Sequence, residues 1–182
     1  MNNSSKKNPW QQKTSDIVYE NPWIRVSHDT VITPGGSDGI YGRIHFKHHA
    51  VGVLPIDDQG GTWLVKQTRY PLSCETWEIP EGGAPEGENL LASAKRELQE
   101  ETGLTAEHWE KWLELQLSNS VTDELATVFL ARGLTQGEMH LEDTEDITTC
   151  YLPLKQAIEM VYSGEIVDAI SVAALLKAAA VL

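Results

Sequence analysis

Residues 81–104, EGGAPEGENLLASAKRELQEETGL, decide how this chain is read. Strong helix formers fill LLASAKRELQEE, and Leu90, Leu91, Ala94 and Leu98 fall on one side at helical spacing. Gly103 stands where a helix C-cap favours a residue free to take positive φ, so a helix is predicted over about Asn89–Glu101. Its acids are unusual. Glu97 and Glu101 are i and i+4 and share a face, with Glu100 beside them at i+3 from Glu97. Like charges at that spacing repel, and a purely structural helix would alternate signs. Clustered carboxylates make sense if they hold a hard divalent cation, which prefers oxygen ligands.

Upstream of this segment the chain predicts strands. IVYENPWIRVSHDTVIT (17–33), IYGRIHF (40–46), AVGVLPI (50–56), TWLVKQTRY (62–70) and TWEIP (76–80) carry β-branched and aromatic residues between turn signals such as PGGSDG and DDQGG. Residues 1–15 are polar and are expected to be frayed. Downstream, WEKWLELQL and ATVFLARGL predict strands, although the spacing of the first also suits a helix. EDITTCYLPL predicts a further strand, and KQAIEMVYSG and DAISVAALLKAAA predict helices. The whole implies an α/β (α+β) chain. A small N-terminal β subdomain over 1–45 precedes a mixed sheet with helices on its faces over 46–182.

The net charge of −13 disfavours unaided binding to nucleic acid or to an anionic membrane, because a phosphate surface is repelled at long range. It permits a small anionic substrate if divalent cations occupy the acidic site. The N-terminus has no apolar run behind its lysines, and no segment approaches the ~20 apolar residues of a bilayer span. A cytoplasmic location is expected. Cys74 and Cys150 have no CxxC spacing, and two buried, unpaired thiols are expected.

Gly82, Glu88, Arg96, Glu97, Leu98, Glu100, Glu101, Gly103 and Leu104 meet every position of the pattern G-x5-E-x7-R-E-U-x-E-E-x-G-U, with U a bulky aliphatic residue. This resembles the signature of the Nudix hydrolases. The resemblance implies an α/β/α sandwich with a mixed sheet and metal-dependent hydrolysis of a nucleoside diphosphate linked to another moiety. Mg²⁺ is the implied ion, with Mn²⁺ able to substitute. Glu97 and Glu101 are the implied metal ligands, with Glu100 a third and the backbone carbonyl of Glu81 a fourth. Many relatives carry Ala at position 81, so the Glu81 side chain either adds a ligand or faces solvent. Arg96 is expected to orient the carboxylates through a bidentate pair, and Glu88 to support them from behind.

QTRYPLSCETWEIPEGG (67–83) resembles the segment before the box in ADP-ribose and nucleotide-sugar pyrophosphatases, which makes Arg69 and Glu78 candidate substrate contacts. For Arg69 the alternative is a surface strand residue, and for Glu78 a salt-bridge partner. NPWIRV (21–26) with HHAVGVLPI (48–56) resembles the same subgroup's N-terminal extension, and implies a homodimer with sites built from both chains. Trp23 and Arg43 complete the candidate substrate contacts; Trp23 either stacks on a base or packs in the protein. His45, His48 and His49 are not expected to bind metal, since neighbouring strand residues point to opposite faces. LSNSVTDELATVFLARGL (117–134) has Asn119-Ser120 where ADP-ribose pyrophosphatases commonly have Pro-Gly, which leaves room for other sugars, as in GDP-mannose. HLEDTEDI (140–147) resembles a mobile acidic loop that supplies a general base; Glu145 is the candidate, with Glu142 and Asp143 behind it.

The function implied is cleavage of nucleoside diphosphate sugars to a nucleoside monophosphate and a sugar phosphate. Dinucleoside polyphosphates or nucleoside triphosphates are the alternative substrates. A non-catalytic nucleotide-sugar sensor is the alternative of another class, though such domains typically lose box glutamates.

Overall fold

The computed structural model describes residues 7–141 and 146–182. Its contacts divide into two compact units, one of residues up to 47 together with 118–124, the other of 48–117 and 125–182. The candidates Glu142, Asp143 and Glu145 lie outside the described residues.

The first unit is an antiparallel meander of β1 (Gln11–Glu20), β2 (Ile24–Ile32) and β3 (Asp38–Phe46). The expected frayed start is corrected here: Gln11 to Ser15 belong to β1. β1 is an edge strand exposed along its whole length, so no apolar alternation marks its polar half. Residues 118–124 close on the far edge, where the Ile44 amide donates to the Val121 carbonyl at 2.9 Å and the Tyr41 hydroxyl to the Ser120 carbonyl at 2.5 Å. Asn119-Ser120 therefore sits in a loop stitched to β3.

In the second unit β4 (His48–Pro55) runs parallel to β9 (Leu125–Gln136) at the centre of a four-stranded sheet. β7 (Glu81–Pro85) and β8 (Leu104–Gln116) flank them in the order β7-β4-β9-β8. A second sheet has the order β10-β5-β6, from Thr148–Pro153, Gly61–Arg69 and Cys74–Glu78. Neither cysteine forms a disulfide, and Cys74, against expectation, is exposed.

Helices cover both faces of the first sheet because β4 is apolar on both. Val51 and Val53 point to α1 (Leu90–Thr102) and pack with Ala94, Leu98 and Phe129. Leu54 points the other way, with Val128 and Leu130, into a core shared with α2 (Leu154–Ser163) and α3 (Ala169–Val181). This is the α/β/α sandwich. β8 carries a bulge between Lys111 and Leu113. It lets Trp112 turn into the core, where its indole N–H donates to the Ala174 carbonyl at 3.4 Å. That irregularity produces the helix-like spacing of Trp109, Trp112 and Leu113 in a strand.

α1 begins and ends on the residues its sequence supplies. The Asn89 side chain accepts from the Ala92 amide at 3.1 Å, and the Gly103 amide donates to the Gln99 carbonyl at 2.8 Å. Gly103 has φ 73°, and a Cβ there would sit 2.6 Å from the Gly137 carbonyl oxygen. Gly103→Ala is therefore expected to lower stability by at least about 1–2 kcal/mol, the cost of a left-handed non-glycine residue. Urea denaturation measures it; a change within about 0.5 kcal/mol, the range of neutral surface substitutions, would refute this role for the cap.

Candidate metal and phosphate site

β7 brings the box glycines against α1. Glu81 and Gly82 pair with Gly52 and Val51 of β4, so the strand lies in the sheet surface on which α1 packs. A methyl group at Gly82 would overlap the Glu97 carboxylate. Only hydrogen fits there. Glu97 and Glu101 are buried although ionisable, at 7% and 1% exposure. The Glu81 amide donates to Glu101 Oε2 at 2.9 Å.

Arg96 forks between two acids. One terminal nitrogen lies 2.8 Å from Glu100 Oε2, and the other 2.9 Å from Glu97 Oε1 while donating to the Gly83 carbonyl at 3.1 Å. It thus bridges two carboxylates, whereas the expectation was a bidentate pair. Burial alone would lower its pKa, but Glu97 and Glu100 hold it above its ordinary value. Glu88 is exposed in the connection before α1.

Arg69, the last residue of β5, and Glu78, the last of β6, form a second charged group on the β5–β6 hairpin. Arg69 Nε and a terminal nitrogen reach the two Glu78 oxygens at 2.9 and 2.5 Å, the fork-on-fork geometry of a strong pair. The same terminal nitrogen reaches Glu81 Oε1 at 2.5 Å. Thr76 and Gln67 also donate to Glu78. The Glu81 side chain is 10% exposed, so it turns inward and does not face solvent. Its Oε2 is buried without a hydrogen-bond partner among the described residues. Oxygens of Glu78, Glu81 and Asp168 lie within 4.8 Å of one another. Burial first, then Asp168 and Glu78, push the Glu81 carboxyl well above its usual pKa. Burial would weaken the Arg69 cation, but the bonds to Glu78 and the charge of Glu81 raise its pKa instead.

Asp168 escaped the sequence reading. It is the N-cap of α3, where its side chain accepts from the Ser171 amide at 2.7 Å, and a helix start of that kind gives no sign of a distant acidic partner. Ser171, also unforeseen, accepts from the Ile79 amide at 2.9 Å and fixes the segment that leads into β7. Trp23 and Arg43 belong to the first unit. Trp23 is 61% exposed, and Arg43 Nε pairs with Asp29 Oδ2 at 3.3 Å. His45 meets Asp123 at 2.7 Å and His49 meets the Thr127 hydroxyl at 2.9 Å; neither joins a cation-binding cluster among the described residues.

The NUDIX domain model matches residues 46–173. The chain belongs to the Nudix family. A second model, the nucleoside diphosphate sugar hydrolase N-terminal domain, matches residues 10–44. This Nudix chain is 34% identical to the ADP-ribose pyrophosphatase of Mycobacterium tuberculosis over 92% of its own length and 82% of that protein. It is 38% identical to the ADP-ribose pyrophosphatase of Bacillus subtilis over 66% of each chain. A solved structure described as an ADP compounds hydrolase superposes with a TM-score of 0.83 at 20% identity, covering 95% of this chain and 94% of that one, and so shares the fold.

Removing the Ser171 hydroxyl would strand the amide of Ile79, which is 0% exposed. Ser171→Ala should cost about 1–3 kcal/mol, the penalty of an unsatisfied buried donor, read as a lower urea midpoint. A variant as stable as the parent would show that the amide finds another acceptor.

Proposed function

We propose that this Nudix protein hydrolyses the pyrophosphate bond of nucleoside diphosphate sugars of the ADP-ribose or GDP-mannose type, giving a nucleoside monophosphate and a sugar phosphate. The resemblance to an ADP-ribose pyrophosphatase along almost the whole chain carries this reading. The intact set Glu97, Glu100 and Glu101, the first two held by Arg96, supports it chemically.

The donor set suits a divalent cation. Two buried carboxylates and a main-chain carbonyl are hard oxygen ligands, and the bare Gly82 lets the Glu97 carboxylate lie directly against the strand. Glu97, Glu101, Glu100 and the Glu81 carbonyl would hold the ion, with Mg²⁺ as our assignment. Such an ion supplies charge neutralisation for the pyrophosphate oxygens and a lowered pKa for an attacking water. Arg96 keeps Glu97 and Glu100 at fixed positions and limits their mutual repulsion. Arg69, with 36% of its side chain exposed, offers a positive charge to a phosphate oxygen while Glu78 and Glu81 restrict its orientation. Glu78 is thereby a positioning residue.

A cytoplasmic homodimer is part of this proposal. No described helix is long and apolar enough to cross a membrane. Ile17, Val18 and Tyr19 on edge strand β1 are each more than half exposed, which favours association through the first unit. Light scattering checks this: the expected mass is about twice that of the 20.2 kDa chain, and a monomeric mass would refute it.

The activity is tested by a panel of ADP-ribose, GDP-mannose, UDP-glucose, a diadenosine polyphosphate and a nucleoside triphosphate, with Mg²⁺ or with EDTA. The diphosphate sugars should release a nucleoside monophosphate with Mg²⁺ alone. Glu101→Gln should lose at least about 100-fold in kcat with an unchanged circular dichroism spectrum. Near-parental turnover in that variant would sink the ligand assignment, and tight binding without hydrolysis would favour a sensor.

A further inference from the structure

The second unit holds a cavity of about 430 Å³ that none of the box residues lines. Its floor is a row across the sheet β10-β5-β6. Cys150 pairs with Leu64, and Lys66, two residues further along β5, pairs with Trp77. Residues two apart on a strand share a face with their cross-strand partners. Cys150, Leu64 and Trp77 therefore present their side chains together. The wall is α2, whose Gln156, Met160 and Ser163 follow one another at i, i+4 and i+7 along one stripe. The helix is seated shallowly: of its ten residues only Ala157 is buried.

The floor is apolar and the mouth is acidic. Leu64, Trp77 and Met160 offer aliphatic, aromatic and thioether surface, while Glu159 and Glu165 bring two carboxylates. Glu165 is placed there by the end of the helix. Gly164, at φ 81°, turns the chain, and the Ser163 hydroxyl donates to Glu165 Oε1 at 2.8 Å. No Lys, Arg or His lines the cavity among the described residues. Lys66 lies 5.7 Å over the Trp77 ring but is paired with Glu75 at 3.0 Å. Lys155 comes only to 4.0 Å from Glu159, with 88% of its own side chain exposed.

These surroundings limit what the cavity takes. Two carboxylates without a resident cation repel an anion, a pyrophosphate included, and attract a cation. The apolar floor is wasted on a bare metal ion, which would want several oxygen ligands around it. An ammonium group, with three donors and no acceptor, complements a mouth made of acceptors. The volume falls within the range of about 300–1,000 Å³ typical of pockets for small organic molecules.

We propose that this cavity binds a small organic cation, an amine whose apolar body rests on Leu64, Trp77 and Met160 while its ammonium donates to Glu159 and Glu165. The site is independent of the hydrolytic assignment, since neither its ligand nor its residues take part in that chemistry.

The test uses one ring with three charges: tryptamine, neutral 3-methylindole and indole-3-acetate. Each is titrated into the full-length protein in EDTA and followed by saturation-transfer NMR on the indole protons. Tryptamine should bind with the highest affinity, at least about fivefold above the acetate, the scale of two partly exposed charge contacts. Glu159→Gln with Glu165→Gln should remove that preference and weaken tryptamine by a similar factor. Both residues are exposed, so the double variant keeps its fold. Ser163→Trp, at another exposed position, should weaken tryptamine and 3-methylindole alike by obstructing the mouth. Glu101→Gln should bind like the parent, which separates this cavity from the box. The proposal is overturned by absence of tryptamine binding up to about 5 mM, a weak limit for a ligand of this size. Equal binding of the neutral or anionic ring overturns it too, as does tryptamine binding undisturbed in the double glutamine variant or in Ser163→Trp.

Discussion

The site depends on a missing side chain. At Gly82 the strand and the helix approach so closely that only a hydrogen fits in front of Glu97. That contact sets the distance of α1 from the sheet, and so where its acidic face lies. Everything else in the box answers the electrostatic problem this creates. Glu97 and Glu101 are nearly dehydrated, and like charges one turn apart would tend to unwind the helix. Arg96 supplies the opposing charge to Glu97 and Glu100, and the Glu81 amide supplies a donor to Glu101. The apolar side of the same helix, Ala94 and Leu98 against Val51 and Val53, contributes the burial that offsets the cost.

A second balance is struck around Arg69. Glu78, Glu81 and Asp168 crowd about one guanidinium, and Glu81 ends with an oxygen that has no donor among the described residues. This chain thus puts an inward-turned ionisable group at position 81, where the resemblance implies Ala in many relatives. Burial, then the charges of Asp168 and Glu78, push the Glu81 carboxyl above its usual pKa, because a further negative charge is costly there.

How far the sequence reveals this differs from residue to residue. α1 was legible over its length and at its C-cap, because Gly103 acts locally and the box has fixed spacing, while Asn89, read as its first residue, is its N-cap. β8 was ambiguous because a bulge imitates helical periodicity. The first half of β1 was hidden, since an edge strand exposed on both faces has no apolar alternation to display. β7 was invisible for the opposite reason: Gly82, Gly83 and Pro85 are poor strand formers, and neighbouring β4 imposes the extended form. Arg69 and Glu78 were singled out through resemblance as candidate substrate contacts; their pairing with each other was not legible. Nor were the inward turn of Glu81 and its meeting with Asp168, because nothing local links β7 to the start of α3.

That link has a consequence for how the protein comes into being on the ribosome. The segment ahead of the box is anchored by the Ser171 hydroxyl, and Ile79 shares a buried core with Ile170 and Leu175 of the same helix. A nascent chain can pair β7 with β4 before the segment ahead of β7 gains this anchor. Ser171 lies 92 residues after Ile79, so the anchor itself forms only once most of the chain has been made.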